Sequence, residues 1–394
     1  MTASDGRPGA ADGKGQVVPE GARPIKSPKL YARKEIADAT GRVSPHLGAQ
    51  SFLPVNGKGG EDLAGPYEPV PDWPRTIEEG WRLSGPSGCV AVSADRVIVV
   101  SHFGMVRDLL TDLRWGRNVF SIDASPFRTY GTLEMKPTNH VVTFDREGQM
   151  IDSWTWQDHA FGKINRVFVD PHDPHGHVWI TDSKKQKVFK FTADGREIVM
   201  QIGEIEAGSQ PDDPWKAEDI AWVPNGDFYV AGLGRIDRFT KDGKHVWSKL
   251  ARGSGPGEFF DLHGLALDPV RHRIYLADRG NSRIQVFDED WNFLDEWPNI
   301  LAPYAMRLAK NGDVWVADGF TSKFLRYDPD GRLITSWGQW GIAPGTAWGI
   351  HWFDTDPDGN LYVCEVYAER IQKYRLRGDV SPKDPRIIGE LHRY

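Results

Sequence analysis

Five residues before an Asp-Pro turn, the chain twice places a histidine, His263 and His351, and once an asparagine, Asn165. Eight residues before the turn glycines Gly226 and Gly312 stand Glu218 and Tyr304. Ser87 takes the same place in a more divergent stretch. Two imidazoles and a carboxylate are a normal ligand set for a catalytic divalent cation with open positions. The expected ligands are His263, His351 and Glu218, with zinc as the first expectation for the metal and calcium as the second. A cation there would polarise a bound oxygen or lower the pKa of a bound water to roughly 7. Tyr304 is expected to serve a developing oxyanion or to act as a general acid. His102 breaks a series of strand-end acids (Asp182, Asp278, Asp318, Glu365) and is the second candidate for proton transfer. Asn165, Arg166, Ser87 and Trp352 are the expected substrate contacts.

These positions coincide only if a repeat brings them together. Short apolar runs such as Val178–Thr181, Ile274–Ala277, Val314–Ala317 and Leu361–Cys364 alternate with Asp-Gly, Asn-Gly and Asp-Pro turns, which reads as strands joined by hairpins. The runs recur six times between residues 78 and 376, at roughly fifty residues per copy. Three strands per copy are plain, and a fourth is visible in Phe293–Trp297 and Leu333–Trp337. Four strands at this period describe a propeller blade, and six stacked blades bury the faces that one blade cannot. The expectation is an all-β fold: a six-bladed β-propeller over residues 67–394, with residues 1–66 as a flexible arm. Equivalent positions of such blades lie at one radius and height. Ser87, Asn165, Glu218, His263, Tyr304 and His351 should therefore ring the central channel.

The fourth copy carries a more specific signature: Gly255-Pro-Gly-Glu-Phe259, Leu262 through Pro269, Tyr275 through Arg279, and Asn281-Ser-Arg-Ile-Gln-Val-Phe287. It resembles an NHL repeat, which implies four-stranded blades of that type. Within NHL enzymes, the spacing of His263 and His351 resembles the peptidyl-α-hydroxyglycine α-amidating lyases. That resemblance implies a zinc ion held in the central funnel by three histidines, and cleavage of a carbinolamide C–N bond. Here the third histidine position is Asn165, the family's arginine falls at or beside His102, and its tyrosine has no counterpart in Ala231–Arg235. The resemblance therefore implies a metal-dependent lyase (C–N, C–O or C–C cleavage) acting on a small, aromatic, hydroxy- or carbonyl-bearing substrate. A lactonase-like metal hydrolase and a non-catalytic NHL protein-binding scaffold are the alternatives.

Composition narrows the classes further. With 48 Lys+Arg against 55 Asp+Glu, the net charge of −7 disfavours binding to nucleic acid. No apolar run is long enough for a membrane span, and the start has no basic-then-apolar segment, so the expected setting is cytoplasmic. Two cysteines cannot build a disulfide framework. No nucleophile elbow, phosphate loop or dinucleotide fingerprint is present. The long segment 103–138, between the second and third strands of the first copy, is expected to cap the funnel.

Overall fold

A computed structural model describes residues 64–93, 96–108, 133–203, 215–341 and 343–392. The expected arm falls almost wholly outside the described residues, as does the centre of the long segment 103–138.

Among the described residues, strands form six four-stranded antiparallel sheets and one of three strands. Blade 4 shows the pattern best: Leu262–Asp268, Arg273–Asp278, Arg283–Asp288 and Phe293–Trp297 pair in order from the axis outward. The innermost strands of the other blades are Pro86–Ser93, Ile164–Val169, Asp219–Trp222, Pro303–Leu308 and Ile350–Thr355. Blade 6 takes its outermost strand from the other end of the chain, Tyr67–Pro69 pairing antiparallel with Arg370–Leu376. That exchange closes the ring with backbone hydrogen bonds and covers an otherwise open sheet edge. The three-stranded sheet joins Arg82–Leu83 to Met105–Asp108 and Leu133–Lys136, the two ends of the long insertion in blade 1.

Neighbouring blades are locked by a repeated fit of tryptophan on glycine. Trp154 ends the outer strand of blade 1 and lies on Gly195, in the outer hairpin of blade 2; a Cβ there would fall 2.2 Å from the indole. Trp297 of blade 4 lies in the same way on Gly331 of blade 5, where a Cβ would fall 2.1 Å from the ring nitrogen. Both glycines have positive φ, +70° and +78°, as these hairpin turns require. The indoles are about 2 % exposed or less, so these two tryptophans fill the wedges between neighbouring sheets.

The strand-end acids hold the loops of one face. Asp182 accepts N–H bonds from Gly162 and Lys163, which enter blade 2, and from Lys184 and Lys185 beyond it. Asp318 does the same with Leu301, Phe320 and Thr321, and Glu365 receives Trp348 N–H at 2.8 Å. The start of each inner strand, where the candidate residues stand, is thereby fixed in height.

Candidate active site

The repeat register does bring the candidate residues to one end of the axis. His263 and His351 are each 2 % exposed, with ring centroids 4.7 Å apart and planes at 84°. Tyr304 lies against both, its ring centroid 4.8 Å from that of His263 and 5.3 Å from that of His351. His102 meets His351 edge-on at 5.2 Å. Glu218 Oε2 is 3.8 Å from His263 Nε2. Asn165, at the equivalent place of blade 2, is buried, and its side-chain Nδ2 has no hydrogen-bond partner. Ser87 shares the ring, but its hydroxyl is used structurally, donating to Ile164 O at 2.9 Å.

Backbone carbonyls orient the two imidazoles. His263 Nδ1 lies 2.7 Å from Tyr304 O, and His351 Nδ1 lies 2.7 Å from Ser87 O. In the tautomer whose Nδ1–H donates to its carbonyl, the lone pair is left on Nε2, the arrangement that ligating histidines adopt; in the other, Nδ1 accepts from Arg166 and Nε2 carries the hydrogen. Burial, aided by nearby Arg279 and Arg166, pushes the His263 pKa well below its ordinary value. Burial and Arg166 do the same for His351. Both rings are therefore neutral at neutral pH, as metal ligation or proton acceptance requires.

Arg166 and Trp352, expected to touch substrate, are placed otherwise. Arg166 is fully buried, and its guanidinium is an internal hub. Its N–H groups donate to Ser87 O (3.1 Å), Asn165 O (3.1 Å), His263 O (3.2 Å) and Tyr304 O (2.7 Å), carbonyls of four different blades. They also approach His351 Nδ1 to 2.6 Å and His263 Nδ1 to 3.0 Å. Burial lowers its pKa to about 10, opposed chiefly by the charge of Asp219. Asp219 itself is pushed up to about 7 by burial, against the pull of Arg166 and of N–H bonds from Leu265 and Ile220. Trp352 lies beneath the hub, with the Arg166 guanidinium 4.5 Å from its ring centroid and that of Arg307 at 5.1 Å. It lines a separate cavity of about 330 Å³ with Val167, Ile220, Leu265 and Met306, whose lining includes neither histidine. A planar fork with five donors is suited to several carbonyls converging on an axis. That demand is invisible in sequence because the acceptors are backbone.

Two further residues join the site. Arg279 stacks over Tyr304 at 4.6 Å and is held by Asp261 at 2.6 Å. Tyr367 shares a hydrogen bond with Tyr304, hydroxyl to hydroxyl, at 2.5 Å. Their signal was positional: both sit in the loop just past a strand-end acid (Asp278, Glu365), on the face that carries the inner-strand starts.

The residues can be tested against the metal that the resemblance implies. Among the described residues, no three His, Cys, Asp or Glu side chains are grouped to hold a metal ion. Two buried, neutral imidazoles do converge, and Asn165, at the equivalent place of blade 2, is buried with its Nδ2 unpartnered. A divalent ion at this place would be held by His263 and His351, with Glu218, the ligand expected from the sequence, or the Asn165 amide oxygen as the third donor. Glu218 is the nearest carboxylate, and burial raises its pKa despite the opposing charge of Arg279.

The sequence has relatives among known proteins. The profile of a family described as a 6-bladed beta-propeller matches residues 238–328. NHL repeat-containing protein 3 of Mus musculus is 26 % identical over 253 residues, covering 59 % of this chain and 72 % of that protein. Peptidyl-alpha-hydroxyglycine alpha-amidating lyase 1 of Drosophila melanogaster is 28 % identical over 332 residues, covering 74 % of this chain and 58 % of that protein. The chain is a six-bladed β-propeller whose blades are similar to NHL repeats. A probable peptidyl-alpha-hydroxyglycine alpha-amidating lyase of Caenorhabditis elegans is 28 % identical over 189 residues, or 39 % of this chain and 54 % of the worm protein. The chain thus spans little more than half the length of these lyases. Among solved structures, a streptogramin B lyase aligns at 14 % identity and a TM-score of 0.47, covering 79 % of this chain and 97 % of that one.

Proposed function

We propose that this propeller is a channel lyase that cleaves the bond between a hydroxyl-bearing carbon and its nitrogen. The substrate class is an N-acyl α-hydroxyglycine or a similar carbinolamide. The observation that carries this reading is the pair of buried, neutral imidazoles with Tyr304 against both. A divalent ion bound by His263, His351 and either Glu218 or Asn165 would polarise the substrate hydroxyl and ease its deprotonation.

The remaining work falls to the chain's own residues. His102, beside His351, takes the hydroxyl proton. The electron pair of the O–H bond becomes the new C=O bond, and the C–N bond breaks toward nitrogen. Tyr304 delivers a proton to that nitrogen, and Tyr367, hydrogen-bonded to it, supports the transfer. Arg279, stacked on Tyr304 at the site's rim, supplies the positive charge that a substrate carboxylate needs. For an N-acyl α-hydroxyglycine the products are the primary amide and glyoxylate, so atoms and charge balance without an oxidant.

Colorimetric detection of glyoxylate from N-benzoyl-α-hydroxyglycine, alongside elemental analysis of the purified protein, tests the reading. Enzyme-dependent glyoxylate that disappears in His263→Ala and His351→Ala supports it; background-level glyoxylate from a metal-free protein removes it. A second reading, a non-catalytic binding propeller, is favoured by Asn165 standing where a third imidazole is expected. The same measurement separates the two.

A further inference from the structure

Five aromatic rings run in contact from the imidazole pair to the surface. Tyr304, against both histidines, is followed by Tyr367 at 6.4 Å between ring centroids. Phe320 lies 6.2 Å from Tyr304 and 6.3 Å from Tyr367. Trp348 is 6.0 Å from Tyr367, and Trp340 is 5.8 Å from Trp348. Tyr304, Tyr367 and Trp348 are buried, but Phe320 is 48 % and Trp340 52 % exposed. The wedge tryptophans between blades are sealed from water, so packing of the ring accounts for them and not for this pair. Large apolar side chains left open beside a polar site are characteristic of a ligand surface.

The fold holds these rings in place. Phe320 N–H donates to Asp318, and Trp348 N–H to Glu365, so both loops are pinned to strand ends. Glycines make room for the tyrosines. A Cβ on Gly319 would fall 2.4 Å from the Tyr304 ring, and one on Gly349 (φ +74°) would fall 2.3 Å from the Tyr367 ring. A surface already ordered loses little freedom when a ligand covers it.

We infer that Phe320 and Trp340, backed by Tyr304, Tyr367 and Trp348, form a subsite for an aromatic group on the acyl side of the substrate. The inference rests on the proposed lyase only for the position of the reacting carbon, at the imidazole end of the track. An acyl group extending outward from that carbon meets Phe320 and Trp340, where edge-to-face or offset stacking is available.

Two non-reacting ligands test it, N-benzoylglycine and N-acetylglycine, which share the carboxylate and amide and differ in the phenyl ring. Titration calorimetry on the full chain is expected to show at least tenfold tighter binding of N-benzoylglycine, a difference of about 1.4 kcal/mol. The double variant Phe320→Ala/Trp340→Ala alters only half-exposed positions, and an unchanged melting temperature verifies its fold. In that variant the preference should vanish while N-acetylglycine binds as before. Equal affinities in the wild type, no binding of either ligand, or a preference that survives in the double variant would each overturn the subsite. Selective binding without glyoxylate release from the α-hydroxylated counterparts would leave the subsite standing and remove the proposed reaction instead.

Discussion

His351 Nδ1 lies 2.7 Å from the carbonyl oxygen of Ser87, so a side chain of the last blade is oriented by the backbone of the first. His263 is oriented in the same way by Tyr304 O of the adjoining blade. The imidazole pair is thus built from contacts between blades, and its geometry depends on the closed ring.

If Asn165 fills the third ligand position, restoring an imidazole there should tighten the site. Asn165→His is expected to raise zinc affinity at least tenfold, about 1.4 kcal/mol, measured by competition with a chromophoric chelator. His263→Ala and His351→Ala should each reduce bound metal to well below one per chain. Unchanged affinity in Asn165→His would place the third ligand elsewhere.

Arg166 donates to carbonyls of four blades from one buried guanidinium that also contacts both imidazoles. Its removal takes a donor from each carbonyl, leaves a void among buried polar groups and removes the positive charge that favours ionised Asp219. Arg166→Met should cost roughly 3–5 kcal/mol in urea denaturation. Arg166→Lys should recover only part of this, because an ammonium cannot fork to several acceptors. A loss under 1 kcal/mol in Arg166→Met would show that the hub is dispensable.

The tryptophan-on-glycine lock between blades makes a separable claim about stability. Gly331→Ala drives a Cβ into Trp297 and places a side chain at φ +78°. A loss of about 1–3 kcal/mol is expected in equilibrium unfolding. Substitution at Gly378, where an added Cβ meets nothing within 4 Å, is the control and should change stability by less than about 0.5 kcal/mol.

Asp158 gives a pH dependence remote from the active site. Burial raises its pKa, but hydrogen bonds from the His140 ring (2.9 Å) and from the N–H groups of His140 and Asn139 outweigh it, and the net shift is downward. A folded pKa below the unfolded value means the contribution is complete above the unfolded pKa, near 4, and is lost as pH falls through the folded value. Asp158→Asn should therefore cost about 1–2 kcal/mol at pH 7, and the gap to wild type should narrow steadily below pH 4. A gap that stays constant down to pH 2.5 would contradict the assignment.

The ring was legible in sequence because turn chemistry and strand period repeat, and a repeat fixes relative position without tertiary information. Counting from each turn placed His263, His351, Tyr304, Asn165 and Glu218 together, and the structure keeps them together. The count could not tell which side chains face the channel and which turn beneath it. Arg166 and Trp352 follow Asn165 and His351 directly, yet irregular pairing at these strand starts sends both below the ring. Phe320, Trp348 and Tyr367 lie in loops whose residues do not repeat from blade to blade. Their place follows from the acids Asp318 and Glu365, which accept N–H bonds from Phe320 and Trp348.

Glyoxylate released per mole of N-benzoyl-α-hydroxyglycine consumed, with and without His263, is the most direct measurement of the proposed chemistry. One equivalent of glyoxylate and one of benzamide from the wild-type protein, with a rate lower by at least a hundredfold in His263→Ala (about 2.7 kcal/mol), is the expected result. Substrate consumed at the same rate by both proteins, or not consumed above the uncatalysed rate by either, would contradict a lyase centred on the imidazole pair.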